Sequence, residues 1–363
     1  MSSSLHLFHR IKNTLSEFLP EMHRYRRDNL AWMITGIHEA QHVHLSKIAD
    51  YRPGRAALES KIMQLRRFLA NEALEPHTCY FPVARRLLEQ AAEAHERLRL
   101  VLDIVELSGR RKILMLALAY RRRALPLLWK VWRGKGKTDA QTQIAFLKDF
   151  EALLVGFFPE RTRPVIIADG EFHAVDLMRH LDAIDWGFRL RLPASTRVHL
   201  PDGQQMALSD LGLRPGERRY LNDVYLTDAH TYGPISVACY WAEGEEAPWF
   251  IVTDEEEATY LTLRTYSRRM WIEELFGDLE GGGFQLDKSR LYEPARLSRL
   301  VLAVCLAYLW LVHVGARVIR RGWRRMVDRR DRRDRSLAEI GRHWIRRCTT
   351  GGAPPHVGLV PYF

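Results

Sequence analysis

The sequence predicts an α/β protein: a mixed sheet flanked by helices, with a β-rich insertion and with helical N- and C-terminal regions. Three changes in pattern support this. Apolar residues recur at helical spacing through residues 1–92, but from Leu98 onward they alternate or form short unbroken runs, as in strands. After residue 195 turn residues and β-forming residues become more frequent, and from residue 299 the apolar pattern is helical again.

The elements of the central region are predicted in chain order. Leu98, Leu100 and Leu102 alternate as in a half-buried strand that delivers Asp103 at its end. The further strands are predicted at Ile113–Tyr120, Leu125–Val131, Pro164–Ala168 and Gly187–Leu192, and the helices at Ala140–Phe157 and Ala174–Ile184. The strand Pro164–Ala168 delivers Asp169, so two acidic residues each follow an apolar strand.

The insertion and the C-terminal region have their own signals. Strands are predicted at Thr196–Leu200, Arg218–Leu226, Ile235–Trp241 and Trp249–Thr253, with a turn at Pro201–Gly203. The stretch Leu300–Val314 is apolar but only 15 residues long. A membrane-spanning helix needs roughly 20 residues, so a buried core helix is expected.

The N-terminal region contains a pattern that resembles a helix-turn-helix. It comprises Asp28–His38, the short segment from Leu45 to Ala49, and Ala56–Leu69. The basic side of this arrangement would carry Arg52, Arg55, Lys61, Arg66 and Arg67. Compact helical bundles that never touch DNA share the pattern, so both interpretations stay open.

Composition favours a polyanionic partner. The 363 residues include 55 Lys and Arg against 44 Asp and Glu, a formal charge of +11. The arginine-rich stretch 324–347 is either a solvated surface or a phosphate contact. The four cysteines lack paired spacing, which argues against disulfides or a cysteine zinc site and fits a reducing cytoplasm. The N-terminus does not have the pattern of a signal peptide.

The most informative segment runs from Tyr266 to Phe284. It is predicted to form a helix that ends at the glycines 281–283. Four polar residues fall in one stripe of this helix: Tyr266, Arg269, Glu273 and Glu280. Four apolar residues form the neighbouring stripe: Ile272, Leu275, Phe276 and Leu279. The helix is therefore expected to pack on a core and to present an arginine and a carboxylate beside it.

The spacing of Tyr266, Arg269 and Glu273 resembles the signature helix of the bacterial cut-and-paste DDE transposases in the insertion-sequence-four family. The segments Leu100–Asp103 and Ile166–Phe172 resemble the acidic blocks of that family. The resemblance implies a ribonuclease H-like sheet, in which the first and fourth strands are neighbours. Asp103 and Asp169 would then meet at adjacent strand ends.

The same resemblance implies the roles of the site residues. Asp103, Asp169 and Glu273 would be catalytic and would hold two Mg²⁺ ions, for which Mn²⁺ could substitute, because hard cations prefer carboxylate oxygens. Tyr266 and Arg269 would contact DNA phosphates. Trp249 would stack on a base flipped out of the duplex. The implied partners are double-stranded DNA, as terminal inverted repeats and as target, and a second copy of the chain in the synaptic complex. No membrane is implied as a partner. The implied location is the cytoplasm.

The resemblance divides the chain into a DNA-binding region (1–92), a first part of the core (93–194), the insertion (195–253), the signature helix region (254–298) and a basic helical tail (299–363). Two positions depart from the family pattern. Gly170 stands where the family usually has arginine, and Glu280 stands where it has a lysine that contacts phosphate. Lys288 and Arg290 are nearby candidates for that contact. An inactive DNA-binding derivative of a transposase is the alternative.

A competing motif lies at His38-Glu39-Ala-Gln-His42, which has the H-E-x-x-H pattern of zinc peptidases. On a helix this spacing would place two histidines on one face, with the glutamate as base. The chain contains 15 histidines, so a pattern with three fixed positions arises easily by chance. A zinc peptidase is kept as the remote alternative.

Overall fold

The structure, a computed structural model, describes residues 3–154, 162–226, 231–281 and 283–363. The N-terminal region forms helices α1 (Ser3–Phe18), α2 (Arg24–Ala40), α3 (Leu45–Asp50), α4 (Leu58–Ala70) and α5 (Pro76–Ala94). Helices α2, α3 and α4 pack on one another, in the segments where the sequence suggested a helix-turn-helix. The buried hydroxyl of Tyr80 on α5 donates a hydrogen bond of 2.7 Å to the backbone oxygen of Pro126, which joins this region to the sheet.

The central region contains the predicted elements in the predicted order. They are β1 (Arg97–Leu107), β2 (Arg111–Tyr120), β3 (Arg123–Arg133), α6 (Ala140–Leu153), β4 (Arg163–Ala168), α7 (Val175–Ala183) and β5 (Gly187–Arg191). One detail was wrong: Asp103 does not end its strand, because β1 continues for four more residues to Leu107. Residues 104–107 pair with β2, which holds them in the ladder. Residues 155–157 of the predicted helix lie outside the described part of the chain.

The described strands form one sheet of ten, in the order β3-β2-β1-β4-β5-β10-β9-β8-β6-β7 once the insertion strands are added. Strand β1 is antiparallel to β2 but parallel to β4, and β4 is parallel to β5. This confirms that the first and fourth strands are neighbours, as in a ribonuclease H-like sheet. With helices on its faces, the mixed sheet confirms the predicted α/β class.

The insertion contributes β6 (Arg197–His199), β7 (Gln205–Ala207), β8 (Arg218–Leu226), β9 (Tyr232–Tyr240) and β10 (Trp249–Thr253). Strand β10 pairs antiparallel with both β5 and β9, so these strands extend the central sheet instead of forming a second one. The sequence did not predict β7. Three residues are too few to show an alternating pattern.

The segment after β10 folds as α8 (Tyr260–Tyr266), a 3₁₀ turn (Ser267–Arg269) and α9 (Met270–Glu280). The predicted single helix was therefore wrong at its start, because the tighter turn at 267–269 interrupts regular α-helix there. Its predicted end is confirmed, since α9 ends at Glu280, directly before the glycine run. The predicted apolar stripe is confirmed, because Ile272, Leu275, Phe276 and Leu279 are all buried.

Helix α10 (Pro294–Arg320) lies in the core and contacts α2, α4, α5 and β3. Its 27 residues are long and apolar enough to cross a membrane, but 94% of its most apolar window is buried within the protein. The expected core helix is confirmed, whereas its expected length was too short. In the N-terminal part of the helix, the buried Arg299 donates hydrogen bonds to the backbone oxygens of Leu69 and Leu74, at 3.0 and 2.9 Å.

Helix α11 (Leu337–Thr350) crosses α10 at two glycines. A Cβ atom at Gly341 would lie 1.9 Å from the backbone oxygen of Leu311, and one at Gly315 would lie 2.0 Å from that of Leu337. Only glycine allows the two backbones to approach this closely. The end of the chain then folds back on α10, where Trp310 Nε1 donates a hydrogen bond of 2.9 Å to the backbone oxygen of His356.

Candidate active site

Three parallel strands bring polar side chains together at one edge of the core. Leu102 of β1 is paired with Ala168 of β4, so Asp103 and Asp169 follow at neighbouring positions. Ala168 is paired in turn with Leu190 of β5, so Arg191 follows at the position neighbouring Asp169. The carboxyl ends of parallel strands are where such sheets build their sites.

Arg269 connects the signature segment to this strand edge. Its Nη1 atom lies 3.0 Å from Oδ2 of Asp103, and its Nη2 atom donates to Oε1 of Glu273, one turn further along α9. The side chains of Arg269 and Asp103 are 16% and 12% exposed, whereas that of Glu273 is 44% exposed. A single guanidinium thus bridges two of the three predicted catalytic carboxylates.

Asp103 has the strongly perturbed acidity expected of a site residue. Burial raises its pKa to about 7 from an ordinary value of 3.8. The carboxylates of Asp169 and Glu273 raise the pKa further. Arg269 opposes the shift, as does the backbone N–H of Ile104, which donates to Oδ1 of Asp103 at 2.8 Å. The effects that raise the pKa of Asp103, burial above all, therefore outweigh those that lower it.

Asp169 lines a cleft of about 460 Å³ between the strand edge and the insertion. Its Oδ1 atom accepts a hydrogen bond of 2.9 Å from the backbone N–H of Glu171. Arg269 lines the same cleft, together with Lys137 and Arg191. The cleft is thus lined by two carboxylates, Asp169 and Glu171, and by three basic side chains, an arrangement that suits a phosphate ester approaching a metal site.

The donor set fits divalent cations. Carboxylate oxygens are the ligands that Mg²⁺ and Mn²⁺ prefer, and a raised pKa of a buried aspartate is the electrostatic condition that a bound cation relieves. Within the described residues, however, no group of three His, Cys, Asp or Glu side chains has the spacing of a metal site. At this edge the guanidinium of Arg269 lies between Asp103 and Glu273. A metal held by both carboxylates would require this guanidinium to move away.

Tyr266 and Trp249, both predicted to contact DNA, touch each other. Their rings meet edge to face with centroids 5.3 Å apart. Tyr266 is only 2% exposed, and burial raises its pKa to about 12. Tyr266 is therefore a core residue that packs against Trp249, whereas Trp249 is only half-buried. Their contacts with DNA stay predictions.

The two departures from the family pattern have different surroundings. A Cβ atom at Gly170 would meet only the backbone oxygen of Arg191, at 3.8 Å, so a side chain fits there. Glu280 is half-buried, and both burial and Asp287 raise its pKa. The position where the family has a lysine thus carries a carboxyl group, and a second carboxylate, that of Asp287, lies close enough to raise its pKa.

Lys288 and Arg290 are exposed, as a phosphate contact requires, and follow α9 at a 3₁₀ turn (Leu286–Ser289). The backbone N–H of Val43, in the turn before α3, donates a hydrogen bond of 2.9 Å to the oxygen of Phe284 just ahead of them. The N-terminal helical region and the end of the signature segment are therefore in direct contact. The roles of Lys288 and Arg290 in DNA binding stay predictions.

The zinc-peptidase geometry is not present. Helix α2 ends at Ala40, and Gln41 adopts a left-handed conformation with a φ of 49°. His42 is therefore not one helical turn above His38 on a common face. The His38 ring is buried against Trp310, with ring centroids 4.8 Å apart, and burial lowers its pKa to about 4. His38 is a core residue, and this alternative was wrong.

Sequence reasoning missed Arg191 and Lys137 as lining residues of the cleft. A signal for Arg191 was available, since it ends a strand that runs parallel to the two strands carrying Asp103 and Asp169. Lys137 lies in the loop before α6 and had no such signal. Its place at the site follows only from the folded chain.

The chain is similar to a few solved structures and to one protein family. Two Argonaute structures from Marinitoga piezophila, one with a 5′-OH guide RNA and one with guide RNA and target DNA, are each 11% identical to this chain and cover 70% of it. The chain covers only 38% and 37% of those proteins, with TM-scores of 0.25 and 0.24, so this likeness carries no argument. No curated protein matches the sequence significantly.

The family comparison is more informative. The profile of the family described as "Transposase DDE domain" matches residues 108–310, which is more than half of the chain. The matched region includes Asp169, Arg269 and Glu273 and begins shortly after Asp103. The chain therefore belongs to the family of transposase DDE domain proteins.

Proposed function

We propose that this protein is a metal-dependent DNA transposase of the insertion-sequence-four type, which cleaves DNA at inverted-repeat ends and joins the freed ends to a target. The observation that carries the proposal is the convergence of Asp103, Asp169 and Glu273 around Arg269, from the neighbouring strands β1 and β4 and from the signature helix. Clustered carboxylates repel one another, so such a group is uncommon without a cation to hold.

Asp103, Asp169 and Glu273 would hold two Mg²⁺ or Mn²⁺ ions. When bound, the ions would activate the attacking oxygen and stabilise the leaving oxygen of an in-line displacement. Asp103 must lose its proton to act as a ligand, and its raised pKa of about 7 keeps part of the population protonated near neutrality. Arg269 would leave the carboxylates and turn to a DNA phosphate, which matches its implied role as a phosphate contact.

The remaining cations would position the DNA. Arg191 and Lys137 line the cleft beside Asp169 and can neutralise a phosphate there. Trp249 would stack on an unpaired base, and Lys288 and Arg290 would take over the contact that the family's lysine makes. The helical region 1–92 would bind the inverted repeat, and the basic tail would add backbone contacts. Two DNA ends imply two copies of the chain, and the reaction would take place in the cytoplasm.

One observation favours a second candidate. The guanidinium of Arg269 occupies the space between two carboxylates, and Glu280 is acidic where a cation is expected. A DNA-binding protein that has lost catalysis would retain such an arrangement without penalty.

Cleavage of a labelled duplex that carries the flanking inverted repeat tests the choice. The proposal predicts cuts at the element boundary with Mg²⁺ and none with EDTA. Binding of the duplex without cutting at any Mg²⁺ or Mn²⁺ concentration would replace the transposase by the inactive derivative. Absence of both binding and cutting would overturn both.

A further inference from the structure

A second cationic site lies beside the signature helix, on the edge opposite to Glu273. It is a cavity of about 310 Å³, and Trp271 lines it. Trp271 and Glu273 are two positions apart on α9, so their side chains point about 160° apart around the helix. The basic lining residues are His95, Arg97, Arg99, Arg121 and Arg268, of which Arg97 pairs with Glu255 outside the cavity lining. Among the described residues that line it, none is Asp or Glu.

Arg268 has an incomplete set of partners in this cavity. Its Nη1 atom is buried and has no hydrogen-bond partner among the described residues. Its guanidinium carbon lies 5.7 Å from the centroid of the Trp271 ring. Burial lowers the pKa of Arg268, and no carboxylate counteracts this. A buried charged donor without an acceptor is costly, so an anion is the partner that would complete the site.

The cavity opens into a longer groove. Arg121 and Trp271 also line a larger cleft of about 590 Å³, beside the β2–β3 turn and the segment before α11. Its two carboxylates each pair with an arginine, Glu274 with Arg123 at 2.9 Å and Asp334 with Arg332 at 2.7 Å. The exposed arginines Arg121 and Arg122 lie at the turn. The groove therefore presents an excess of positive charge along its length.

The groove runs close to the candidate active site. Arg99 and Asp103 are four residues apart on β1 and so lie on the same face of the strand, separated by roughly 13 Å. Arg268 of the cavity is the chain neighbour of Arg269, which bridges the carboxylates. A strand held in the groove would thus lie within a few nucleotides of the reacting phosphate.

We propose that this groove binds a single DNA strand, with one phosphodiester in the cavity beside Arg268 and the adjoining base against Trp271. An unstacked base finds a sequence-tolerant platform on an aromatic ring, and a guanidinium recognises phosphate oxygens. At about 310 Å³ the cavity is of the size that holds one small molecule, and it excludes a duplex. That the strand is an unpaired part of the transposon DNA rests on the proposed function.

Fluorescence anisotropy of a short 5′-labelled single-stranded oligonucleotide, in EDTA and on the full chain, tests the proposal. Arg268→Gln and Trp271→Leu should each weaken binding about tenfold, as loss of one stacked base or one phosphate contact does. Arg121→Gln, at an exposed turn where the fold is not at risk, should weaken binding several-fold. The control Arg86→Gln removes an arginine whose side chain is 60% exposed on α5, and should bind as the unmodified protein does.

Wild-type affinity in all three groove variants would overturn the proposal. Displacement of the oligonucleotide by equimolar deoxyadenosine monophosphate would overturn the proposal that the ligand is a DNA strand and would identify it as a free nucleotide. Equal competition by a blunt duplex of the same length would overturn the preference for an unpaired strand. Because the assay contains no metal, it reports binding independently of cleavage, so failure of the groove can be told apart from failure of the proposed transposase function.

Discussion

Arg269 Nη1 lies 3.0 Å from Oδ2 of Asp103, although the two residues are 166 positions apart in the chain. The contact joins the signature segment to strand β1, which carries Asp103. It also places a guanidinium beside a carboxylate that the proposed function assigns to a divalent metal. Under that proposal, metal and Arg269 would compete for the same oxygen, and a DNA phosphate would be the anion that draws Arg269 away.

Removal of Arg269 should tighten metal binding in the absence of DNA. In Arg269→Gln the carboxylates lose their internal cation, so we expect Mn²⁺ to bind about tenfold more tightly, a difference of about 1.4 kcal/mol. Isothermal titration calorimetry measures this directly. Arg264→Gln, which removes an exposed arginine on α8, is the matched control. Weaker Mn²⁺ binding in Arg269→Gln would show that Arg269 supports the metal site instead of competing with it.

The raised pKa of Asp103 predicts opposite effects of pH on folding and on metal binding. The folded protein holds the Asp103 proton up to about pH 7, whereas in the unfolded chain the group titrates near 3.8. The stability contributed by this proton is thus complete below pH 3.8 and is lost as the pH rises through 7. Metal binding requires the carboxylate, so Mn²⁺ affinity should rise over the same interval.

Urea unfolding between pH 4 and 8, compared with Asp103→Asn, tests the first effect. The asparagine variant should lack this component of the decline in stability and should be at least as stable as the original protein at pH 8. A variant with an unchanged pH profile, or one that is much less stable at pH 8, would contradict the assignment of the shift to Asp103.

Glu280 offers a direct test of the departure from the family pattern. Glu280→Lys removes an acid that Asp287 already destabilises and restores the cation of the family signature. We expect tighter binding of inverted-repeat DNA and a salt dependence steeper by about one released counterion. Filter binding across a range of salt concentrations gives both values. Glu246→Lys, an exposed change of the same charge in the insertion, should leave the slope almost unchanged; equal slopes for both variants would remove Glu280 from the DNA path.

The crossing of α10 and α11 predicts a large effect on stability from a single methyl group. In Gly341→Ala the new Cβ would lie 1.9 Å from the backbone oxygen of Leu311, so the helices must separate, at a cost of about 3 kcal/mol or more. Gly277→Ala is the control, because a Cβ there meets nothing within 4 Å. On an exposed helix this change should stabilise by about 0.5–1 kcal/mol. Similar midpoints of urea unfolding for the two variants would contradict the crossing.

Much of the fold could be predicted because it depends on local patterns. The apolar runs of β2 and β4 and the alternation in β8 carry their own signals, and the bounds of β8 and β10 agree with those expected. The apolar stripe of α9 follows from helical periodicity in the same way. Strand order does not follow from periodicity; it came from the family resemblance, and the pairing of β1 with β4 confirms it.

The site was less accessible to sequence reasoning. Its acidic residues could be named from position and spacing, but the contact between Arg269 and Asp103 depends on the 3₁₀ turn at 267–269, which no periodic pattern reveals. The buried state of Tyr266 depends on how α8 packs against β4 and β10. Arg191 and Lys137 reach the cleft through strand order and loop path, which are properties of the folded chain.

The central claim is that Asp103, Asp169 and Glu273 act as one metal-binding unit, and the rates of DNA cleavage of single and double variants test it most directly. Asp103→Asn, Asp169→Asn and Glu273→Gln should each reduce Mg²⁺-dependent cleavage roughly a thousandfold or more, and a double variant should lose little beyond either single one. Inverted-repeat binding should be retained, and Asp176→Asn, at a 52% exposed carboxylate on α7, should cleave normally. Cleavage at the original rate in any of the three single variants would contradict the account.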